Sequence, residues 1–235
     1  MIKKIAICLC SFLLVFAICE SLRAETVEES FKKAFPDADF DRIQPTEIKG
    51  VYEVIKGPEI IYFAPDPGYL IVGDMFTKEG MNLTERRKEA LFAESAKQLP
   101  LDKAIKIGSG KHAVVEFTDP DCEFCRRASQ SLSQRQDLTR YVFFFPLPMH
   151  KDAENKVKYI FCANDRVKAY QDAMRGKLDD QKYKKCSKPE AAELLEQHKQ
   201  AGQKLHVSGT PFFVVDFKRT VKGADMEGIE EALKN

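Results

Sequence analysis

Cys122 and Cys125 are the two residues whose type and spacing point most directly to chemistry. They stand three positions apart, where an apolar strand pattern gives way to a helical one. The free N–H groups and the dipole of a helix N-terminus stabilise a thiolate and lower the pKa of the first cysteine. The thiolate is the attacking species in disulfide exchange. The pattern therefore predicts that Cys122 is the nucleophile and that Cys125, one turn further on, releases the substrate from the mixed disulfide.

Charged residues beside this pair act on the thiol in opposite directions. Arg126 and Arg127 add positive charge, which favours the thiolate. Asp121 and Glu123 add negative charge, which raises a thiol pKa. The sequence leaves the net direction open.

Two further features are candidates for assisting the pair. Glu116 lies inside an apolar strand, six residues before Cys122. It is either buried beneath the cysteines, where it could accept a proton from Cys125, or exposed at a sheet edge. Thr210-Pro211 immediately precedes another apolar strand, a position typical of a cis-proline turn.

The cysteine count allows a metal site as the alternative to redox chemistry. Four of the seven cysteines lie beyond residue 24, and a structural zinc ion could use all four. Cys162 and Cys186 are 24 positions apart, whereas zinc ribbons usually supply a closely spaced second pair, so redox chemistry is favoured. Arg126 stands where a c-type haem site has histidine. No metal or organic cofactor is predicted, and the histidines are interpreted as surface or loop residues: His112, His150, His198 and His206.

The first 24 residues have the pattern of a secretory signal peptide. Two lysines near the start precede an apolar run from Ile5 to Ile18, and Ala24 is the predicted last residue removed. An uncleaved membrane anchor is one alternative, but the run is short for a bilayer of roughly 30 Å. Lipid attachment at Cys19 is another, but Ile18 is bulkier than the small residue that usually precedes such a cysteine. Export would place the remaining cysteines in an oxidising compartment. The net charge of the whole chain is +1, and no basic surface for nucleic acid is indicated.

Hydrophobic periodicity divides the rest of the chain into two parts. Short strands broken by Gly and Pro predict a small antiparallel sheet first, and strands alternating with helices predict an α/β domain after it. The charge-rich helical segment between them is interpreted as a linker, with a packed core helix as the alternative. Helices are predicted over 26–35, 83–99, 122–134, 153–174, 189–205 and 226–233, and strands over 48–55, 60–64, 69–75, 113–118, 141–147 and 212–217.

Together these motifs resemble the DsbC/DsbG family of periplasmic thiol:disulfide isomerases, within the thioredoxin-fold superfamily. The segments that carry the resemblance are Phe117-Thr118-Asp119-Pro120-Asp121-Cys122-Glu123-Phe124-Cys125 and Val207-Ser208-Gly209-Thr210-Pro211, with Cys162 and Cys186 downstream. The resemblance implies an α/β chain, α+β overall. Its parts would be a signal peptide at 1–24, a cystatin-like β dimerisation domain at 25–82, a helical linker at 83–100, and a thioredoxin-like catalytic domain with a helical insertion at 101–235.

The resemblance also implies how the site works. Thr210 and Pro211 would form the cis-proline loop that holds substrate, and Cys162 and Cys186 would form a structural disulfide. The chain would be a homodimer whose active cysteines are kept reduced by a membrane electron donor of the DsbD type. Its substrates would be misfolded or misoxidised exported proteins, with no nucleic-acid partner.

Two departures from the family pattern keep alternatives open. Glu123-Phe124 replaces the usual Gly-Tyr between the cysteines, and Glu116 takes a strand position that is apolar in the best-known isomerase but acidic in thioredoxin and DsbA-like oxidases. The predicted function is a periplasmic thiol:disulfide interchange enzyme that isomerises or reduces incorrect disulfides. The alternatives are a dithiol oxidase, a dedicated reductase of one partner such as apocytochrome c, and a holdase chaperone that works without chemistry.

Overall fold

A computed structural model describes residues 25–180 and 183–234, so the predicted signal peptide and its cleavage after Ala24 lie outside the described residues. The backbone divides into two compact units: the first holds 25–56 and 61–72, and the second holds 57–60 and 73–234. No helix in these described ranges is both long enough and apolar enough to cross a membrane.

The first unit packs one helix on a four-stranded sheet. Its elements are α1 (Val27–Ala34), β1 (Arg42–Pro45), β2 (Tyr52–Lys56), β3 (Glu59–Ala64) and β4 (Tyr69–Ile71), in the sheet order β1-β2-β3-β4. A capping box starts α1, since Thr26 and Glu29 each accept the backbone N–H of the other. Phe31 of this helix is buried with Val54 and Phe63 of the sheet.

Two features of this sheet differ from the sequence prediction. The strand predicted over 48–55 begins only at Tyr52, because Thr46 Oγ1 bonds to the backbone of Ile48 and Val51, and Gly50 has a φ of +81°. These interactions form a turn in place of the first half of the strand. β1 was not predicted, since its four residues contain a proline and little apolar alternation.

The second unit is built on a five-stranded mixed sheet in the order β5-β7-β6-β8-β9. β6 and β7 are parallel, and the other neighbouring pairs are antiparallel. The strands are β5 (Ile105–Ile107), β6 (His112–Thr118), β7 (Leu138–Phe144), β8 (Phe212–Val215) and β9 (Arg219–Lys222). The helices are α2 (Leu83–Lys97), α3 (Glu123–Leu132), α4 (Ala153–Cys162), α5 (Arg166–Met174), α6 (Pro189–Lys204) and α7 (Met226–Lys234).

Both faces of this sheet are buried, which explains the nearly continuous apolar runs of its central strands. One hydrophobic cluster combines Phe117, Phe143 and Phe212 with residues of α2 and α6. Another combines Val114 and Phe213 with residues of α3 and α7. The predicted fold class, α+β overall with an α/β second part, is confirmed.

The helical stretch predicted over 153–174 is two helices. Ala163 is extended, with a ψ of 144°, and the side chain of Asp165 accepts the backbone N–H of Lys168 at 2.9 Å. Asp165 therefore caps a new helix, α5, where the sequence pattern indicated one continuous element. The strands β5 and β9 were not predicted, because three or four residues with alternating basic side chains give little periodic signal.

His198 corrects the interpretation of the histidines as surface or loop residues. It lies in α6 and is fully buried. Its Nδ1 accepts the backbone N–H of Phe144 at 2.9 Å, and its Nε2 lies 3.0 Å from the carbonyl oxygen of Lys103. The neutral ring with Nε2 protonated satisfies both bonds, so this histidine links α6 to β7 and to the segment before β5.

Burial of His198 predicts a loss of stability in acid. Burial lowers the pKa of His198 from 6.5 to about 4. Between pH 6.5 and about pH 4, the unfolded chain therefore binds a proton at this residue and the folded chain does not, so the unfolded state is favoured as the pH falls. We expect this residue to remove about 3 kcal/mol of unfolding free energy across that window. Urea titrations from pH 7 to 4 should show a shallower decline for His198→Gln. His206→Asn, at an exposed position, controls for loss of a histidine; an equal decline in His198→Gln and the wild type would contradict the prediction.

Candidate active site

The cysteine pair lies where the loop after β6 enters α3. Cys122 is the N-cap residue of α3, with extended backbone angles, and Cys125 lies in the first turn. The N–H of Cys122 donates to the carbonyl of Asp119 at 3.1 Å, and the N–H of Arg126 donates to the carbonyl of Cys122 at 3.1 Å. Both cysteines are free thiols; Cys125 is fully buried, and Cys122 keeps 6% of its surface exposed. Of the two sulfurs, Cys122 is thus the more accessible.

The surroundings make the two thiols unequal. A hydrogen bond from the Cys125 thiol, assisted by the backbone N–H groups of Phe124 and Cys125, lowers the pKa of Cys122 to about 6, although burial opposes this. Burial is the largest cause that raises the pKa of Cys125, and its bond to Cys122 adds to the effect. The direction that the sequence left open is therefore toward an acidic Cys122. Near neutral pH this arrangement gives one thiolate, at Cys122, and one retained proton, at Cys125.

The loop before β8 lies against Cys122. The Thr210-Pro211 peptide bond is cis. The Sγ of Cys122 lies 3.5 Å from the carbonyl oxygen of Thr210. The two predicted motifs, 88 residues apart in sequence, are thus in contact.

Glu116 is buried within β6 and does not face solvent at a sheet edge. Its Oε2 accepts from Arg140 Nη2 at 2.6 Å, and its Oε1 accepts from the Tyr170 hydroxyl at 3.0 Å. The hydroxyls of Ser129 and Tyr170 are 2.9 Å apart beside them. Burial, followed by the neighbouring Glu116, raises the pKa of Tyr170, which keeps its proton. The partners of the carboxylate are thus Arg140 and Tyr170, and the relay between Glu116 and Cys125 stays a prediction.

Cys162 and Cys186 form a disulfide with a Cα–Cα distance of 6.3 Å, a usual separation for such a bond. It joins the end of α4 to the segment that precedes α6. A zinc site that uses all four cysteines would need Cys162 and Cys186 as free thiolates, whereas the structure joins them in a disulfide. Among the described residues, no group of three or more His, Cys, Asp or Glu side chains is placed to hold a metal ion.

Arg126 and Arg127 act differently from the simple addition of positive charge that the sequence suggested. Arg126 pairs with Asp179 through both guanidinium ends, at 2.6 and 2.8 Å. Arg127 lies over the ring of Phe124, with 4.7 Å between its Cζ and the ring centroid. Sequence reasoning missed Asp179, as well as Arg140 and Tyr170. Of these, Arg140 alone gave a signal, as a basic residue immediately before the predicted strand that begins at Tyr141.

A cysteine pair at the strand-to-helix turn of a mixed sheet, in contact with a cis-proline loop, defines a thioredoxin-like domain. Comparison with protein families agrees, since residues 99–230 match the thioredoxin-like domain. Residues 20–85 match the N-terminal domain of disulfide bond isomerase proteins.

Individual relatives identify the family. The probable thiol:disulfide interchange protein DsbC of Bordetella parapertussis is 30% identical over 208 residues, which cover 86% of this chain and 71% of the relative. DsbC of Escherichia coli is 28% identical over 77% of this chain and 75% of its own. A crystal structure of a disulfide interchange protein from Neisseria gonorrhoeae aligns with a TM-score of 0.49 and 34% identity, covering 57% of this chain and 95% of that one. The chain belongs to the DsbC family of thiol:disulfide interchange proteins.

Proposed function

We propose that this enzyme isomerises or reduces incorrect disulfides in exported proteins, with Cys122 as nucleophile and Cys125 as resolving thiol. The observation that carries the proposal is the contact between a more accessible, acidic Cys122 and a buried Cys125 that keeps its proton. The apolar run after two lysines at the start of the chain supports export to the periplasm.

The exchange begins when the Cys122 thiolate attacks one sulfur of a substrate disulfide. A Cys122–substrate bond forms, the substrate S–S bond breaks, and the other substrate sulfur leaves as a thiolate. In isomerisation a substrate thiolate then attacks this mixed disulfide, forms a new substrate disulfide and restores the Cys122 thiolate, with no net electron transfer.

In reduction, Cys125 gives its proton to the solvent, and its thiolate attacks the Cys122 sulfur of the mixed disulfide. A Cys122–Cys125 bond forms, the Cys122–substrate bond breaks, and the substrate sulfur leaves as a thiolate that takes up a proton from the solvent. The products are a reduced substrate and a Cys122–Cys125 disulfide, so two electrons have passed from the enzyme to the substrate. The enzyme then needs an external dithiol to return to its reduced form, and a membrane electron donor of the DsbD type is proposed for this step. Thr210 and Pro211 would hold the substrate segment, because their loop lies against the Cys122 sulfur.

Refolding of ribonuclease with scrambled disulfides tests the proposed isomerase. The wild type should restore ribonuclease activity, and Cys122→Ala should lose at least about 99% of the rate, because the attacking thiolate is gone. Ser131→Ala, exposed on the same helix, is the matched control and should refold ribonuclease like the wild type. Equal rescue by wild type and Cys122→Ala would refute the proposal; suppression of aggregation alone in both would point to the holdase.

The first unit is proposed to mediate homodimerisation. β4 is an edge strand of its sheet, and edge strands offer unpaired backbone groups to a partner. Tyr69 and Val72, at and just after this strand, are 66% and 81% exposed although they are large and apolar. A second copy that pairs along β4 would cover these side chains.

Dimerisation predicts a concentration-dependent mass. Light scattering should give twice the monomer mass at micromolar concentration, and Val72→Asp should weaken the dimer at least about tenfold, because a charge would be buried at the interface. Lys49→Asp, in the turn before β2, is the control for a new acidic residue on the same unit. A monomeric wild type at these concentrations would exclude the proposed dimer.

A further inference from the structure

Four charged side chains form a cluster beside the active-site loop: Asp121, Arg126, Lys156 and Asp179. Arg126 binds Asp179 through two nitrogens and reaches Asp121 at 3.4 Å. Lys156 binds both Asp121 and Asp179. The cluster, called the Asp121 cluster below, contains two cations and two anions.

The lysine of the Asp121 cluster is its most buried member. The side chain of Lys156 is 5% exposed, compared with 17% for Asp121 and 34% for Asp179. Burial alone would lower the pKa of Lys156, but its two carboxylate partners outweigh burial and raise it. Lys156 therefore stays charged, and an unpaired ammonium at this position would be costly.

Asp179 is held in place by a turn that follows α5. Gly176 has a φ of +74°, and its carbonyl accepts the N–H of Asp179 at 2.9 Å. A Cβ on Gly176 would lie 3.0 Å from the carboxylate of Asp179 and 3.5 Å from Arg126 Nη1. Glycine thus allows both the left-handed backbone and the close approach of the ion pair.

The Asp121 cluster also contacts the loop that precedes Cys122. The Nε of Arg126 donates to the carbonyl of Pro120 at 2.7 Å. Asp121 is the residue immediately before Cys122, and its N–H donates to Asp119 Oδ1 at 2.8 Å. The cluster therefore connects this loop to α4 and to the turn after α5, both of which belong to the segment between β7 and α6.

We propose that Lys156, held by Asp179, is a positioning residue for thiol exchange, which neutralises the Asp121 carboxylate next to Cys122 and fixes the active-site loop to the segment between β7 and α6. This inference rests on the proposed function and adds a residue that touches neither cysteine. Its physical basis is that an uncompensated carboxylate one residue from a thiolate disfavours the thiolate by charge repulsion.

Other charged groups near Cys122 have partners or positions of their own. Asp119 Oδ2 accepts from Leu147 N–H at 2.7 Å and lies 2.8 Å from His150 Nδ1. On α3, Glu123 is exposed and Arg127 stacks on Phe124. None of these described contacts reaches Asp121's carboxylate, so Lys156 and Arg126 are its described cationic partners.

Replacing Lys156 tests the inference. Lys156→Met keeps the length of the side chain and removes the charge, so we expect the midpoint of Cys122 ionisation, followed by thiolate absorbance at 240 nm, to rise by about 0.5–1 pH unit. The equilibrium with glutathione at pH 7 should move toward the Cys122–Cys125 disulfide by up to about fivefold, because the reduced thiolate loses stabilisation. Lys158→Met on the same helix, whose Glu154 partner is 3.9 Å away, is the matched control and should not move the midpoint.

Replacing Asp121 tests the same charge from the other side. Asp121→Asn should lower the midpoint, and Asp121→Asn/Lys156→Met should return it close to the wild-type value, because both opposing charges are then absent. If Lys156→Met does not fold, the downward shift in Asp121→Asn still tests the inference. A lower Tm with an unmoved midpoint in these variants would show a purely structural cluster and overturn it.

This result is separable from the proposed function. A wild type whose Cys122 titrates like an ordinary thiol, or that does not refold scrambled ribonuclease, would contradict the proposed function. An acidic Cys122 with full refolding activity, together with no midpoint shift in Lys156→Met or Asp121→Asn, would overturn the role of Lys156 alone.

Discussion

Cys125→Ser is expected to leave the enzyme trapped on its substrate as a mixed disulfide. Cys122 remains at the N-terminus of α3, where backbone N–H groups still stabilise its thiolate, so attack continues. The buried thiol that would release a stalled substrate is gone, and reduction of model disulfides such as insulin should fall by at least about a hundredfold. Non-reducing electrophoresis should show an adduct that dithiothreitol removes.

Cys122→Ser is the comparison that assigns the roles of the two sulfurs. Its remaining thiol, Cys125, is fully buried and has a raised pKa, so few adducts should form. Ser129→Ala is unsuitable as a control because the Ser129 hydroxyl contacts Tyr170. Ser131→Ala is suitable because Ser131 is exposed and its hydroxyl donates to the backbone carbonyl of Arg127. The assignment would be reversed if adducts accumulated on Cys122→Ser and were absent from Cys125→Ser.

Glu116→Ala is expected to cause the largest loss of stability of any single substitution considered. It would leave the guanidinium of Arg140 buried without its anion, since the side chain of Arg140 is 4% exposed and that of Glu116 is 0% exposed. Breaking a buried ion pair from one side costs about 3–5 kcal/mol. Denaturant unfolding of the reduced protein measures this difference directly.

A double replacement separates the lost pair from the lost volume. Glu116→Leu/Arg140→Met removes both charges and retains apolar bulk, so it should be more stable than Glu116→Ala by about 2 kcal/mol or more. A control for loss of a glutamate needs an exposed position. Glu53 on β2 is buried and therefore unsuitable, whereas Glu227 is exposed in the first turn of α7, so Glu227→Ala is the control. A change below about 0.5 kcal/mol in Glu116→Ala would contradict the prediction.

The sequence was informative where a function depends on neighbours along the chain. The cysteine spacing, the strand before it and Thr210-Pro211 are local patterns, and the structure brings the last of these into contact with Cys122. The partners of charged side chains could not be predicted from the sequence, because they lie far away along the chain. Glu116 finds Arg140 and Tyr170 across 24 and 54 residues, and Arg126 finds Asp179 across 53.

Short strands were not predicted from the sequence for a related reason. Strand β5 has three residues and depends on its antiparallel pairing with β7, which no local pattern encodes. The burial of His198 follows from the packing of α6 against β7, and a single histidine in a helical pattern carries no sign of that contact. In each case the missing information is the identity of a distant neighbour.

The packing of the second half of α2 determines where a recombinant fragment of the second unit can begin. Phe92 lies with its ring centroid 6.4 Å from that of Phe212, and Ala96 and Leu99 are buried in the same cluster as Phe117. A recombinant fragment that starts at the predicted boundary of 101 would lack these side chains. The hydrophobic cluster that they cover would then be exposed to solvent and would promote aggregation. A fragment intended for crystallisation or NMR should therefore keep the whole of α2.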